Sequence, residues 1–179
     1  IRVDWNINDN HKLSFRNNYV KADQFGVGRS TSTNITFDNN GLLFESISNT
    51  ASLELNSNFG NNISNNFILG YTRVRDDRDI VGDPFPTIEI NDGDARIVAG
   101  SQPLSTANLL NQDVVTLTNN LSIYSGRHTI TVGTHNEYSD ITNVFFGRNF
   151  GEYTYNSLQD FFDDDANEYR SSYSILGGV

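Results

Sequence analysis

The sequence predicts an all-β chain, a segment of about six to eight strands from a larger antiparallel up-and-down transmembrane β-barrel with long extracellular loops, and three observations predict it. Apolar and polar residues alternate with period two through six segments. The connections between those segments are alternately short and long, as in barrels whose turns are short on one side of a membrane and whose loops are long on the other. No run of about 18 apolar residues exists, so helical spans are excluded while strand spans are not.

The first segment, about 1–8, sets Ile1, Val3, Trp5 and Ile7 against Arg2, Asp4, Asn6 and Asn8. After a turn at Asp9-Asn10-His11 the alternation resumes over about 12–22, with Leu13, Phe15, Asn17 and Tyr19 opposed to Ser14, Arg16 and Asn18. A polar, glycine-containing stretch of about 23–42 reads as a loop. The third strand, about 43–59, places Leu43, Ile47, Ala51, Leu53, Leu55 and Phe59 at one parity and Ser46, Ser48, Thr50, Ser52, Glu54 and Asn56 at the other. Gly60-Asn61-Asn62 turns the chain into a fourth strand, about 66–75, with Phe67, Leu69 and Tyr71 against the less distinct set Asn66, Ile68, Gly70 and Thr72.

The segment of about 76–111 holds all three prolines and an Asp92-Gly93-Asp94 turn signal, and reads as an elaborate loop. Strand five, about 112–123, sets Val115, Leu117, Leu121 and Ile123 against Thr116, Thr118, Asn120 and Ser122. Strand six, about 128–139, follows a turn at Gly126-Arg127 and sets Ile130, Val132 and Tyr138 against Thr131, His135 and Glu137. Beyond it, 140–170 reads as a third excursion, with further strand at Val144-Phe145-Phe146 and at Glu152 to Tyr155, and a short helix over Ser157 to Phe162 capped by Ser157. Six strands do not close a barrel, whose smallest members have about eight. A strand-like start at Ile1, with no Met before it, leads us to expect that these residues belong to a longer chain.

The chain has 179 residues, a formal charge of −10, 36% hydrophobic residues and no cysteine, so disulfide staples and thiol nucleophiles are excluded. The acidic balance speaks against nucleic acid as a partner, which needs clustered Lys and Arg. Seven aromatics near strand ends, Trp5, Phe15, Tyr19, Phe59, Tyr71, Tyr124 and Tyr138, suit the girdles that barrels carry at both membrane interfaces, although a soluble sandwich core uses aromatics too. Asp76, Asp77, Asp79 and Asp83 offer hard oxygen ligands to a cation such as Ca²⁺, but their spacing matches no calcium loop and Arg75 and Arg78 lie among them, so no metal is assigned. His135 and Glu137 share a face without a third converging group. Gly26-Val27-Gly28 lacks the third glycine and the helix of a dinucleotide site. No nucleophile elbow, zinc helix or phosphate loop occurs, so neither an enzyme nor a cofactor is expected.

Arg78-Asp79-Ile80-Val81-Gly82-Asp83-Pro84-Phe85-Pro86 resembles the loop segment of Oar-like TonB-dependent receptors, a group common in Bacteroidetes. Ser105-Thr106-Ala107-Asn108, Leu117-Thr118-Asn119-Asn120-Leu121, Gly133-Thr134-His135-Asn136-Glu137 and Tyr153-Thr154-Tyr155-Asn156-Ser157-Leu158-Gln159-Asp160-Phe161 are similar to the same group, in order along most of the chain. The resemblance implies a 22-stranded outer-membrane barrel around an N-terminal plug, powered by TonB, with plug and TonB box expected outside these residues. The implied partners are outer-membrane lipid, the rest of the barrel and its plug, TonB, and an unidentified substrate. Within the loop of about 76–111, Phe85, Arg96 and Gln102 are the candidate substrate-binding residues. The rival reading, from Asn- and Ser-rich loops, is a secreted or surface β-sandwich that binds glycans or mediates adhesion.

Overall fold

The computed structural model describes residues 1–173. Its strands are β1 (Arg2–Asn8), β2 (His11–Gly26), β3 (Asn34–Thr36), β4 (Leu42–Phe59), β5 (Ile63–Ile80), β6 (Thr87–Asp92), β7 (Ala95–Ala99), β8 (Leu109–Ser125), β9 (His128–Val144), β10 (Glu152–Tyr155) and β11 (Glu168–Arg170), with one short helix, α1 (Leu158–Phe162), before β11. They form two sheets, one of order β1-β2-β4-β5-β8-β9 and one of order β11-β10-β6-β7-β3.

The first sheet is built from the six periodic segments. Trp5 pairs with Leu13 and Val3 with Phe15 across the β1–β2 hairpin, so the apolar sets of the two strands share a face. Asn58 N–H donates to Asn10 O at 2.8 Å and Tyr124 N–H to Asn62 O at 2.8 Å, which fixes the β2–β4 and β5–β8 registers. Two of the short turns use glycine with positive φ, Gly60 at +65° and Gly126 at +61°, a conformation in which a side chain is strained. The sheet is open, with β1 and β9 as its edges. The barrel segment is thus all-β as expected, and no closed ring forms among the described residues.

Several strands extend past the expected limits. β5 continues to Ile80 and β9 to Val144, where the alternation stops at about 75 and 139. Asp76, Asp77, Arg78 and Asp79 make both faces polar there, which erases the period-two signal but leaves the backbone ladder free to continue. The stretches of about 23–42, 76–111 and 140–170 are not plain loops either, because they contain β3, β6, β7, β10 and β11.

The second sheet departs from a purely antiparallel expectation. β6 and β7 form an antiparallel hairpin around Gly93-Asp94, yet β10 runs parallel to β6 and β3 parallel to β7, while β11 is antiparallel to β10. Parallel pairing demands partners distant in sequence, and here the three long connections supply them. Helix α1 has the expected cap, with Ser157 Oγ accepting the Asp160 N–H at 3.0 Å.

By contacts the chain divides into two compact units. One comprises Ile1–Lys21, Ser46–Arg75 and Asn111–Thr142; the other comprises Ala22–Glu45, Asp76–Leu110 and Asn143–Val179.

Candidate functional site

The first unit has two chemically opposite faces. On one, side chains bond across strands: Ser14 Oγ donates to Asp4 Oδ1 at 2.5 Å, Asn66 Nδ2 donates to Glu54 at 3.0 Å and to Asn56 at 2.8 Å, and Thr118 Oγ1 lies 2.7 Å from His135 Nδ1. The bonds of Asn66 place it, with Ile68, Gly70 and Thr72, on this polar side, which settles the least distinct strand of the sequence pattern. Gly70 and Gly133 also lie here, where an added Cβ would meet Thr116 Oγ1 at 2.4 Å and Asn120 Oδ1 at 2.1 Å.

The opposite face is apolar and uncovered. Trp5 is 59% exposed, Val132 66% and Tyr138 72%, although a water-soluble two-sheet sandwich would bury such side chains in its core. Several of its polar members are paired: Asn17 Nδ2 donates to Asn49 at 2.8 Å and to Thr50 O at 3.1 Å, Asn65 Nδ2 to Asn119 at 2.7 Å, and the Tyr71 hydroxyl to Asp113 at 2.6 Å, where Arg75 also binds. Such pairing is what a surface without access to water requires of its polar groups.

Six of the seven strand-end aromatics have this apolar parity. Trp5 and Phe15 are on paired strands, Phe59 packs edge-on against His11 at 5.7 Å near a short turn, and Tyr19, Tyr71 and Tyr138 lie away from the short turns. Tyr124 differs. It shares the parity of Ser122, and its hydroxyl is 3.0 Å from Ser64 on the polar side.

The second unit contains the candidate loop residues. Alternation on the β6–β7 hairpin sends Ile88, Ile90, Ile97 and Ala99 to one side and Glu89, Asn91 and Arg96 to the other. The apolar side forms a hollow of about 400 Å³, walled by those four residues with Phe37, Phe85, Leu158 and Phe161. Phe85 therefore has the apolar surroundings a ligand group could enter. Arg96 lies on the other side, its guanidinium 2.6 Å from Glu89 Oε2, and Gln102 is occupied in folding, its Oε1 accepting the N–H groups of Leu104 and Ser105 at 2.9 and 2.7 Å. The structure does not bring the three together. The sequence did not single out Phe37, Ile97 and Phe161, because their meeting depends on three connections far apart in the chain.

The polar side carries ion pairs on successive strands. Besides Arg96 with Glu89, Arg148 Nε is 2.6 Å from Glu152 Oε2 and Arg170 is 2.5 Å from Glu168. The Arg96 hydrogen bond holds the Glu89 carboxyl below its ordinary value, against the opposing effect of burial, and Arg170 does the same for Glu168. Burial pushes the Tyr155 phenol up. Asn39 and Asn40 tie the first connection to the second, with Asn39 Oδ1 accepting the Gly100 N–H at 3.1 Å and Asn40 Nδ2 donating to Gly100 O at 3.1 Å. In the acidic run, Asp77 and Asp79 accept from the backbone N–H groups of Arg78 and Ile80, and Arg78 stacks 4.9 Å from the Phe44 ring. Among the described residues no three His, Cys, Asp or Glu side chains converge to hold a metal ion.

The unit is also strongly acidic. It contains sixteen Asp and Glu against five Lys and Arg, a formal −11, whereas the first unit has six against seven, a formal +1, together the chain's −10.

No curated protein and no solved structure matches the chain significantly. The family of outer membrane beta barrel domains matches residues 1–175, almost the full length. A sheet with one uncovered apolar face and one hydrogen-bonded polar face, with short turns alternating with long connections, is the structure such a domain needs; the chain belongs to the outer membrane β-barrel domain family and resides in the outer membrane.

Proposed function

We propose that this chain supplies wall strands and external loops of a TonB-dependent receptor that imports a substrate. The observation that carries the reading is the arrangement of the long connections, all three of which build one sheet instead of separate hairpin loops. A joint structure of that kind is suited to ligand capture, and the family-like segments from Arg78 to Phe161 support the receptor group. β1 and β9 then pair with further strands of a larger barrel, since open edges and an apolar face are unstable as an isolated piece. Trp5, Phe15, Tyr19, Phe59, Tyr71 and Tyr138 serve as interface aromatics, and Tyr124 lines the polar side.

The test is genetic. Residues 87–99, the β6–β7 hairpin, are excised from the chromosomal copy, and the strain is compared with one lacking TonB across a panel of limiting nutrients. A growth defect shared by both strains on at least one nutrient supports import; normal growth of the excised strain wherever the TonB-less strain fails refutes it.

A further inference from the structure

We infer that the hollow on the β6–β7 hairpin binds an aromatic or branched aliphatic side chain of a cationic peptide. This rests on the reading of the long connections as capture surfaces and names the ligand class. The hollow has about 400 Å³ and no polar atom on its wall, within the range of small-ligand pockets. A group bearing hydrogen-bonding atoms would lose its water there without replacement, so the occupant of the hollow itself is apolar. Phe37, Phe85 and Phe161 stand at 53%, 54% and 37% exposure, open to an incoming side chain.

Charge decides what flanks that side chain. The unit carries a formal −11, and three of its five arginines, Arg96, Arg148 and Arg170, are already bonded to carboxylates. Next in sequence to wall residues, Asp38 follows Phe37 and Asp160 precedes Phe161, and Asp163 to Asp165 follow directly on α1. An anionic ligand would be repelled by this field and a cationic one drawn in. Apolar side chain and positive charge together describe a basic, partly apolar peptide.

The experiment uses the full-length parent protein in detergent micelles and three fluorescein-labelled, C-terminally amidated peptides, Lys-Phe-Leu-Lys, Glu-Phe-Leu-Glu and Lys-Ser-Ser-Lys. Fluorescence polarisation reads affinity. Lys-Phe-Leu-Lys is expected to bind at least about tenfold more tightly than either control, and the double change Phe85→Ala with Phe161→Ala to remove that advantage. Both residues are substantially exposed, and Ile97→Asp, which puts a charge into the hollow, provides an independent variant. Failure of the wild type to bind, equal binding of the three peptides, or unchanged affinity in both variants overturns the inference. Peptide binding without a growth defect in the excised strain would refute import and leave the binding site standing.

Discussion

Glu89 on β6 and Arg96 on β7 stand diagonally across one hairpin, carboxylate to guanidinium at 2.6 Å, and Asn91 adds a hydrogen bond to the same carboxylate. Because the folded-state value of Glu89 lies below its ordinary 4.5, its stabilisation is complete above that pH and is lost as pH falls through the lowered value. Arg96 is half exposed, so the gain is below about 1 kcal/mol. Hydrogen exchange should show the β6 and β7 amides less protected in Glu89→Gln than in wild type at pH 7, with the difference shrinking as the pH is taken progressively below 4.5. Equal protection at pH 7 would mean that the pair contributes nothing.

Gly100 has φ +86°, and a Cβ there would lie 2.0 Å from Pro86 O. Gly100→Ala therefore combines a strained conformation with a backbone clash, at a cost of roughly 1–3 kcal/mol or more. Limited trypsin digestion should cut the long connections of this variant faster while the wall strands remain protected. An unchanged digestion pattern would show that the hub yields.

The two faces of β4 should respond oppositely to charge. Leu53→Arg places a guanidinium on the lipid side and is expected to cost about 2–4 kcal/mol of folding free energy if it sits near the bilayer midplane, whereas Ser52→Arg on the polar side costs little. Urea titration of the parent protein in phospholipid vesicles measures both. Similar losses would reverse the face assignment.

Trp5 is the sole tryptophan of these residues and is exposed on the apolar face. In the parent protein with other tryptophans replaced, brominated lipid should quench its fluorescence and aqueous iodide should not. Preferential quenching by iodide would put β1 outside the lipid contact.

The six long strands were legible in the sequence because lipid and water demand different residues on alternate positions. Leu53 beside Ser52, or Val132 beside Thr131, carries that demand locally. The second sheet was only half legible. Asp92-Gly93-Asp94 gives a turn signal by ordinary turn chemistry inside a segment that otherwise reads as loop, and Glu152 to Tyr155 reads as strand, but nothing in either segment announces that Tyr155 will lie beside Ile90 in a parallel pair. For the same reason Phe85 could be chosen as a candidate while Phe37 and Phe161 could not. Tyr124 has the strand-end place of an interface aromatic but the parity of Ser122, so position along the strand and choice of face are separate signals there.

Since β3, the β6–β7 hairpin and β10 come from three different connections yet share rungs, no one of them can change length or sequence freely. An insertion after Gly26 must be accommodated by Arg96 and its neighbours, and a change at Glu152 by Thr87. Variation in this region should accordingly arise in matched sets, and transplanting binding properties between related barrels will require moving the three connections together.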